Sequence, residues 1–543
     1  MKIFLEKLNE QQREAVLEKS SHVCVIAGAG CGKTTTLIYR ICFLLSVKKV
    51  KAENILILTF AKKAMREIVE RVSNVLGAEG ANLYIYNFHS FCFSVLLKHS
   101  KLLGYLNNNL VVYDADDQQT VIKEFVLFDK KNKEEAIETV LLINNIKNQK
   151  KNDADISKAE RVLFESYQNC LRENKAIDFN DLIILTIRLF VNFPEICENY
   201  RNKFSYILID ESQDLNEIQW EIIRLLNGKK QNIFVVGDPN QAIYGFQGAR
   251  PETLSSIANS RIWKTIYLNI NYRSTDNILH LSNSFIKSNK ELIQNKLEGV
   301  CQQINSKVTR VSRIWPASLA KLIFAIKIKK RLNWGDIAVL YRSNFLSSPI
   351  ERGLKKQKIP YEVLGAYSFL RREEVKDMIS LLRSIINKDD VSLVNTLAWQ
   401  EKIGRITIGK IIGLSKEKQI SVFDCLLDLK DVSLFNANQK KRLSEFSRKL
   451  YNWNRAFFEL FADKIENYFW EILRDLAYLK HLRKRKDYLK RYSNIQQLIN
   501  LIVNWNVEEY SILAKKNCID FLGGFLQWLS IFFEKKESFT KKK

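Results

Sequence analysis

Val23-Cys24-Val25-Ile26-Ala27 runs directly into Gly28-Ala29-Gly30-Cys31-Gly32-Lys33-Thr34. The first five residues form a short apolar run of strand type. Beyond Thr34, the residues Leu37, Ile38, Ile41, Leu44 and Leu45 recur at helical spacing. Strand, glycine loop and helix in that order are the context a P-loop needs. Small residues let backbone N–H groups curl around phosphate oxygens, and the helix N-terminus adds positive potential. Lys33 can reach the β- and γ-phosphates, and the Thr34 hydroxyl can hold Mg²⁺. The strict pattern has glycine at its first position, where this chain has Ala27.

Two further apolar runs point the same way. Tyr206-Ile207-Leu208-Ile209 ends in Asp210-Glu211. Paired carboxylates at a strand end suit a metal ligand, Asp210, followed by a water-activating base, Glu211. Ile233 to Val236 leads into Gly237-Asp238-Pro239-Asn240-Gln241, which places Gln241 to sense a γ-phosphate. Tyr244 and Phe246 follow, either as core or as a stacking platform for bases.

Composition narrows the partners. At about 150 residues per domain, 543 residues suggest three to four domains. Lys and Arg number 85 against 60 Asp and Glu, a net charge of +25 that calls for a polyanion, most simply nucleic acid. Only 19 Gly and 6 Pro argue against collagenous and linker-rich chains. The nine Cys form no C-x-x-C pair, so a structural zinc or iron–sulfur site is not expected and reduced thiols are. Met1 to Glu10 lacks a signal-peptide core. The longest apolar run, Phe521 to Phe533, falls short of the roughly 20 residues a bilayer requires and reads as a buried helix. A cytoplasmic protein without a membrane partner is expected.

More motifs appear in a fixed order. Leu8 to Val16 contains Gln12. Thr59-Phe60-Ala61-Lys62-Lys63-Ala64 and Asn87-Phe88-His89-Ser90 precede Asp178-Phe179-Asn180-Asp181-Leu182. Asp210-Glu211-Ser212-Gln213-Asp214, Gly237 to Ala249 and Asn271-Tyr272-Arg273-Ser274 come next, then Leu340-Tyr341-Arg342-Ser343-Asn344, Ile359-Pro360-Tyr361 and Gly365 to Asp377. Taken together they resemble the UvrD/Rep/PcrA-type helicases of superfamily one, from the N-terminus to about residue 380.

The resemblance implies an α/β fold of P-loop, RecA-like core domains with parallel sheets and large helical insertions. It implies an ATP site of Gln12, Ala27, Gly28, Ala29, Gly30, Cys31, Gly32, Lys33, Thr34 and Tyr272. Gln12 would read adenine, Tyr272 would stack on it, and Arg273 would act as an arginine finger beside the catalytic Lys33, Glu211 and Gln241. Mg²⁺ would sit on Thr34 and Asp210. Single-stranded DNA would lie on Phe60, Lys63, His89, Phe179, Tyr244, Phe246 and Arg342. Departures from the family pattern include Thr35 for a common Arg, Lys62 for Asn, Phe246 for Trp, Gln247 for Arg and Pro239-Asn240 for two acids.

Residues 1–92 and 183–280 are expected to build the first core domain, with 93–182 as a helical insertion. Residues 281–378 would begin the second core domain and 379–543 would be its helical insertion. The basic run Lys480, Arg483, Lys484, Arg485, Lys486, Lys490, Arg491 in that insertion is expected to face duplex DNA at a junction. The family's later TLHxAKGLE and YVAxTRA motifs are not found, so the second core domain is expected to be incomplete. A motor that hydrolyses ATP and moves 3′ to 5′ on single-stranded DNA is one reading. A nucleotide-responsive DNA-binding subunit is the alternative. A second chain carrying the missing motifs would reconcile the two.

Overall fold

The structure is a computed structural model. It describes residues 5–59, 62–76, 83–103, 110–127, 133–148, 155–228, 231–245, 248–288, 293, 295–300, 308–311, 315–342, 346–363, 369, 372–400, 403–429, 433–459, 464–485, 487–505, 521–526 and 529.

Six strands make one parallel sheet: β1 (His22–Ala27), β2 (Ile55–Leu58), β3 (Tyr84–Tyr86), β6 (Tyr206–Ile209), β7 (Asn232–Gly237) and β8 (Lys264–Leu268). Their order is β3-β2-β6-β7-β1-β8. Val25 stands opposite Val236 on one side and Ile266 on the other. A parallel sheet covered on both faces requires apolar side chains on both faces of its strands. β1 meets this by alternation. Val23 and Val25 pack with Leu37, Ile38 and Ile41 of the helix Lys33–Ser46, while Cys24 and Ile26 pack with Phe88, Phe91 and Leu182. The strands therefore bring every loop at their C-terminal ends to one edge of the sheet, where α/β folds bind ligands.

A smaller parallel pair, β4 (Val111–Tyr113) and β5 (Ala176–Asp178), packs with the helices Lys133–Lys147 and Lys158–Glu173. Their core holds a buried charge cluster. The Lys147 ammonium, 1% exposed, donates to Asp178 Oδ2 at 2.6 Å and Asp181 Oδ1 at 2.7 Å, and the Tyr167 hydroxyl donates to Asp178 Oδ2 at 2.9 Å. Lys147→Met would leave two carboxylates facing each other without a cation. It is expected to destabilise the fold by about 3–5 kcal/mol in urea unfolding, the usual cost of breaking a buried pair from one side. A change below about 1 kcal/mol would mean that the two acids already share a proton.

The second half is mainly helical. Helices Pro316–Lys330 and Ser347–Lys356 close on Ala320, Ile323, Leu354 and Ile359. Ile337 and Val339 lean onto this cluster, and the stretch from Leu340, which resembles a strand of the family, follows them. Among the described residues it joins no ladder, and Leu340 is 94% exposed. Helices from Glu373–Ile386 to Tyr488–Val503 share one large core with Phe521, Leu522, Phe525 and Leu526 of the last apolar run. This unit docks on the β4–β5 unit. Arg383 pairs with Asp117 at 2.7 Å and donates to the Val112 carbonyl at 3.1 Å, and Tyr113 donates its hydroxyl to Asp389.

Two positions of the basic run are already paired within the chain. Arg491 pairs with Glu373 at 2.9 Å, Glu374 at 3.1 Å and Asp487 at 2.9 Å, and Arg485 pairs with Glu373 at 3.2 Å. Glu373 and Glu374 open the helix Glu373–Ile386, where acids are favoured, and they draw both guanidiniums. Lys486 lies outside the described residues. The seven described cysteines are all free and buried. No helix among the described residues is long and apolar enough to cross a membrane.

Candidate nucleotide site

The glycine loop closes between β1 and the helix Lys33–Ser46. Gly30 and Gly32 have φ of +74° and +86°, a region that favours glycine. Space forbids a side chain as well. A Cβ at Gly30 would lie 2.7 Å from Arg273 Cβ, and one at Gly32 would lie 2.5 Å from Gln12 Nε2. Ala27, the departure from the strict pattern, is the buried last residue of β1. Cys31 is buried, and burial pushes its thiol up to about 11, so it packs in the loop as a neutral group.

Lys33 is buried, with its ammonium 3.5 Å from Glu211 Oε2. A bound γ-phosphate would compete with Glu211 for this cation. Asp210 caps β6: its N–H donates to the Leu58 carbonyl at 2.9 Å, and its Oδ1 accepts the Glu211 N–H at 3.0 Å. Burial, then the neighbouring Glu211, raise its carboxyl to about 7 against the pull of Lys33. A buried carboxylate in that state gains from a divalent cation, and the Thr34 hydroxyl offers a second hard oxygen. Glu211 has φ +50° and ψ +43°. A non-glycine residue held there stores roughly 1–3 kcal/mol, a strain typical of functional positions.

β7 lies between β1 and β6 and carries the sensor turn. Gln241 Nε2 donates to Asp238 Oδ2, so the proposed sensor starts out tied to its own turn. Asn240 Nδ2 donates to the Ile293 carbonyl at 2.9 Å. An acid, the family's usual residue type here, cannot make that bond, which gives the Asn240 departure a local reason, while nothing in the structure explains Pro239.

The adenine side is assembled from distant segments. Gln12 lies in the first helix, Glu10–Leu17, capped by Asn9. Its Nε2 donates to the Cys31 carbonyl at 3.0 Å. Tyr272 is half exposed, and its hydroxyl accepts from Asn9 Nδ2 at 2.8 Å. Arg273 is exposed and is set by its neighbour Asn271, which accepts the N–H groups of Arg273 at 2.9 Å and Ser274 at 2.7 Å and donates to the Ala29 carbonyl. The Tyr272 N–H donates to the Gly30 carbonyl at 3.0 Å. Asn271, Asn9 and Gln213 lie within the quoted motifs, but the sequence assigned them no role. The signal for Asn271 is its place at the head of the Asn271-Tyr272-Arg273-Ser274 motif, and the fold leaves it 1% exposed.

The expected DNA residues divide into three groups. His89 and Phe179 each stand in the first turn of a helix, and their rings meet edge-on at 5.8 Å. Tyr244 is half-buried beyond the sensor turn, and Arg342 is exposed after the unladdered run. Phe60, Phe246 and the Lys63 side chain lie outside the described residues.

The comparisons with known proteins cover almost the whole chain. Residues 8–261 match the UvrD/REP helicase N-terminal domain, and residues 266–540 match the UvrD-like helicase C-terminal domain. The ATP-dependent DNA helicase PcrA of Staphylococcus aureus is 32% identical over 550 aligned residues, covering 96% of this chain and 73% of the relative. The ATP-dependent DNA helicase PcrA of Staphylococcus epidermidis is 33% identical over 549, with the same coverage. These matches support neither a truncated second core domain nor a second chain that completes it.

Proposed function

The chain belongs to the UvrD-like helicase family, and from that premise we propose that it is an ATP-driven 3′-to-5′ translocase on single-stranded DNA that opens duplex junctions. It is an ATP-hydrolysing DNA helicase. One observation carries the site assignment: Lys33, Asp210, Glu211 and Gln241 all follow the C-terminal ends of neighbouring strands of one parallel sheet, and Arg273, just after Ile270–Asn271, stands against Gly30 of the loop. Residues 1–92 and 183–280 would form this ATP-binding core, with 93–182 inserted in it. Residues 281–378 would belong to the second core, with 379–543 inserted there.

In this reading Lys33 and the loop amides from Gly28 to Thr34 hold the β- and γ-phosphates. Glu211 accepts the proton of the attacking water as its oxygen bonds the γ-phosphorus and ADP leaves. Gln241 orients on the γ-phosphate, and Arg273 offsets the charge that develops there. Gln12 and Tyr272 hold adenine. Thr34 and Asp210 would hold Mg²⁺, whose chemistry is to neutralise phosphate charge. The enzyme would work in the cytoplasm, with its DNA.

Single-stranded DNA would follow Phe60, Lys63, His89, Phe179, Tyr244, Phe246 and Arg342, combining stacking with charge. Affinity for an oligo-dT, read by fluorescence anisotropy, is expected to fall about 10²-fold from 50 to 200 mM NaCl if about five phosphates are neutralised. Equal affinity at both salts would remove the basic surface from the binding site.

A strand-displacement assay on 3′-tailed and 5′-tailed duplexes tests the motor. Unwinding of the 3′-tailed substrate alone is expected. ATP hydrolysis and DNA binding without unwinding would favour a nucleotide-responsive DNA-binding protein.

A further inference from the structure

Gln213 stands in the short turn Ser212–Asp214 after β6 and is 2% exposed. Both ends of its amide are in use. Nε2 donates to Glu211 Oε2 at 2.8 Å, and Oε1 accepts the Asp238 N–H at 3.0 Å. The first contact reaches the carboxylate that would take the proton from water. The second reaches the residue whose own carboxylate holds Gln241. One planar amide therefore spans the ends of β6 and β7 and ties the water side of the site to the sensor side.

The space around it is tight. A Cβ at Gly237 would lie 2.7 Å from Gln213 Oε1 and 2.5 Å from Ser212 Oγ. Ser212 Oγ in turn donates to the Val236 carbonyl at 3.0 Å. The amide is thus wedged against the end of β7 and cannot turn away without breaking its bond to Asp238. Among the described residues Glu211 has no such support elsewhere. Its carboxylate is one-third exposed, and its other charged partner, Lys33, is the group that a phosphate would claim.

We propose that Gln213 is a positioning residue for ATP hydrolysis: its amide fixes the Glu211 carboxylate in register with the sensor turn once Lys33 has moved onto phosphate. The proposal rests on the reading of Glu211 as the water-activating base. When Lys33 leaves, the Gln213 N–H becomes the contact that keeps Glu211 Oε2 aimed. Because the same amide grips Asp238, a shift of the sensor turn carries Glu211 with it.

The test uses the full chain with saturating single-stranded DNA. Gln213→Met keeps the length and removes both hydrogen bonds. Gln213→Glu keeps the volume and the acceptor for the Asp238 N–H but sets a second carboxyl against Glu211, which repels that carboxylate or ties it up in a shared proton. Both variants are expected to lower kcat for ATP by about 10²-fold, the scale of a misplaced reacting group. KM for ATP and the affinity for a fluorescent ATP analogue are expected to stay within about twofold, since no phosphate contact changes. Thermal melting separates a folding failure from this outcome, and Gln213→Glu stays informative if Gln213→Met melts early. In the Glu211→Gln background, Gln213→Met is expected to add little further loss, because the group it positions is already disabled. Unchanged kcat in folded single variants, or a full multiplicative loss in the double variant, would overturn the inference. Unchanged hydrolysis by Glu211→Gln alone would instead overturn the assignment of the base.

Discussion

Replacing Lys33 with alanine is expected to raise the dissociation constant for ATP by about 10²-fold or more and to abolish hydrolysis, with a melting temperature close to that of the parent chain. The reasoning begins with what Lys33 touches. Its ammonium is buried at the mouth of the loop, and Glu211 is its one ion-pair partner among the described residues. Charge-assisted hydrogen bonds contribute about 1.5–3 kcal/mol each. Losing two of them to phosphate oxygens corresponds to roughly 10²–10⁴ in affinity, since about 1.4 kcal/mol is tenfold. The fold has less at stake. Glu211 is one-third exposed, so water can solvate the carboxylate that Lys33 leaves behind. Titration with a fluorescent nucleotide alongside a thermal melt checks both halves. Retained affinity would remove the loop from the phosphate site, whatever the family resemblance.

The parts of this site legible in the sequence are those whose physics is local. A strand, a glycine loop and a helix occupy consecutive residues, so Val23 to Leu45 announces itself. Asp210-Glu211 and Gly237 to Gln241 are legible for the same reason, since each hangs on the end of an apolar run. The order of motifs then supplied the family, and with it Gln12, Tyr272 and Arg273. The contacts that hold these groups in place were not legible. Asn271 lies 242 residues from the Ala29 carbonyl it grips, and Asn9 lies 263 from the Tyr272 hydroxyl. Only the folded sheet makes such residues neighbours, and nothing in a polar amide marks its partner. The basic run shows another limit. Seven cations within twelve positions read as a DNA face, yet Arg485 and Arg491 are held by Glu373, more than a hundred residues away. Charge count reports solvated potential, not which charges are already paired. The stretch from Leu340 to Asn344 shows a related limit for a strand expected by resemblance. A ladder also requires an adjacent strand, which no short motif supplies, and among the described residues Leu340 and Tyr341 join none.

Glu211→Gln is expected to lower the rate of ATP hydrolysis by about 10²–10⁴-fold, the range for loss of a general base, while leaving ATP affinity close to that of the parent chain. The substitution is nearly isosteric, and the local contacts permit it. Gln213 Nε2 can donate to an amide oxygen at position 211 as it now does to Glu211 Oε2. The strained backbone at φ +50° is unaltered, because glutamine tolerates it no better and no worse than glutamate. What changes is proton affinity: an amide oxygen cannot take a proton from water near neutral pH. Nucleotide binding is expected to hold or tighten slightly. Without the anion 3.5 Å away, Lys33 no longer has to leave an ion pair to reach phosphate. Asp210 responds in the same sense. The Glu211 charge is one cause of its raised carboxyl, so removing that charge makes Asp210 easier to ionise and a better partner for a cation. The variant should therefore trap the ATP-bound state, and single-stranded DNA should bind it in the conformation that precedes hydrolysis. Single-turnover hydrolysis, nucleotide titration and DNA anisotropy on one preparation separate these effects. Hydrolysis near the parent rate would move the base elsewhere, and Asp238, held by Gln241 and buried beside the same cleft, would be the next residue to substitute.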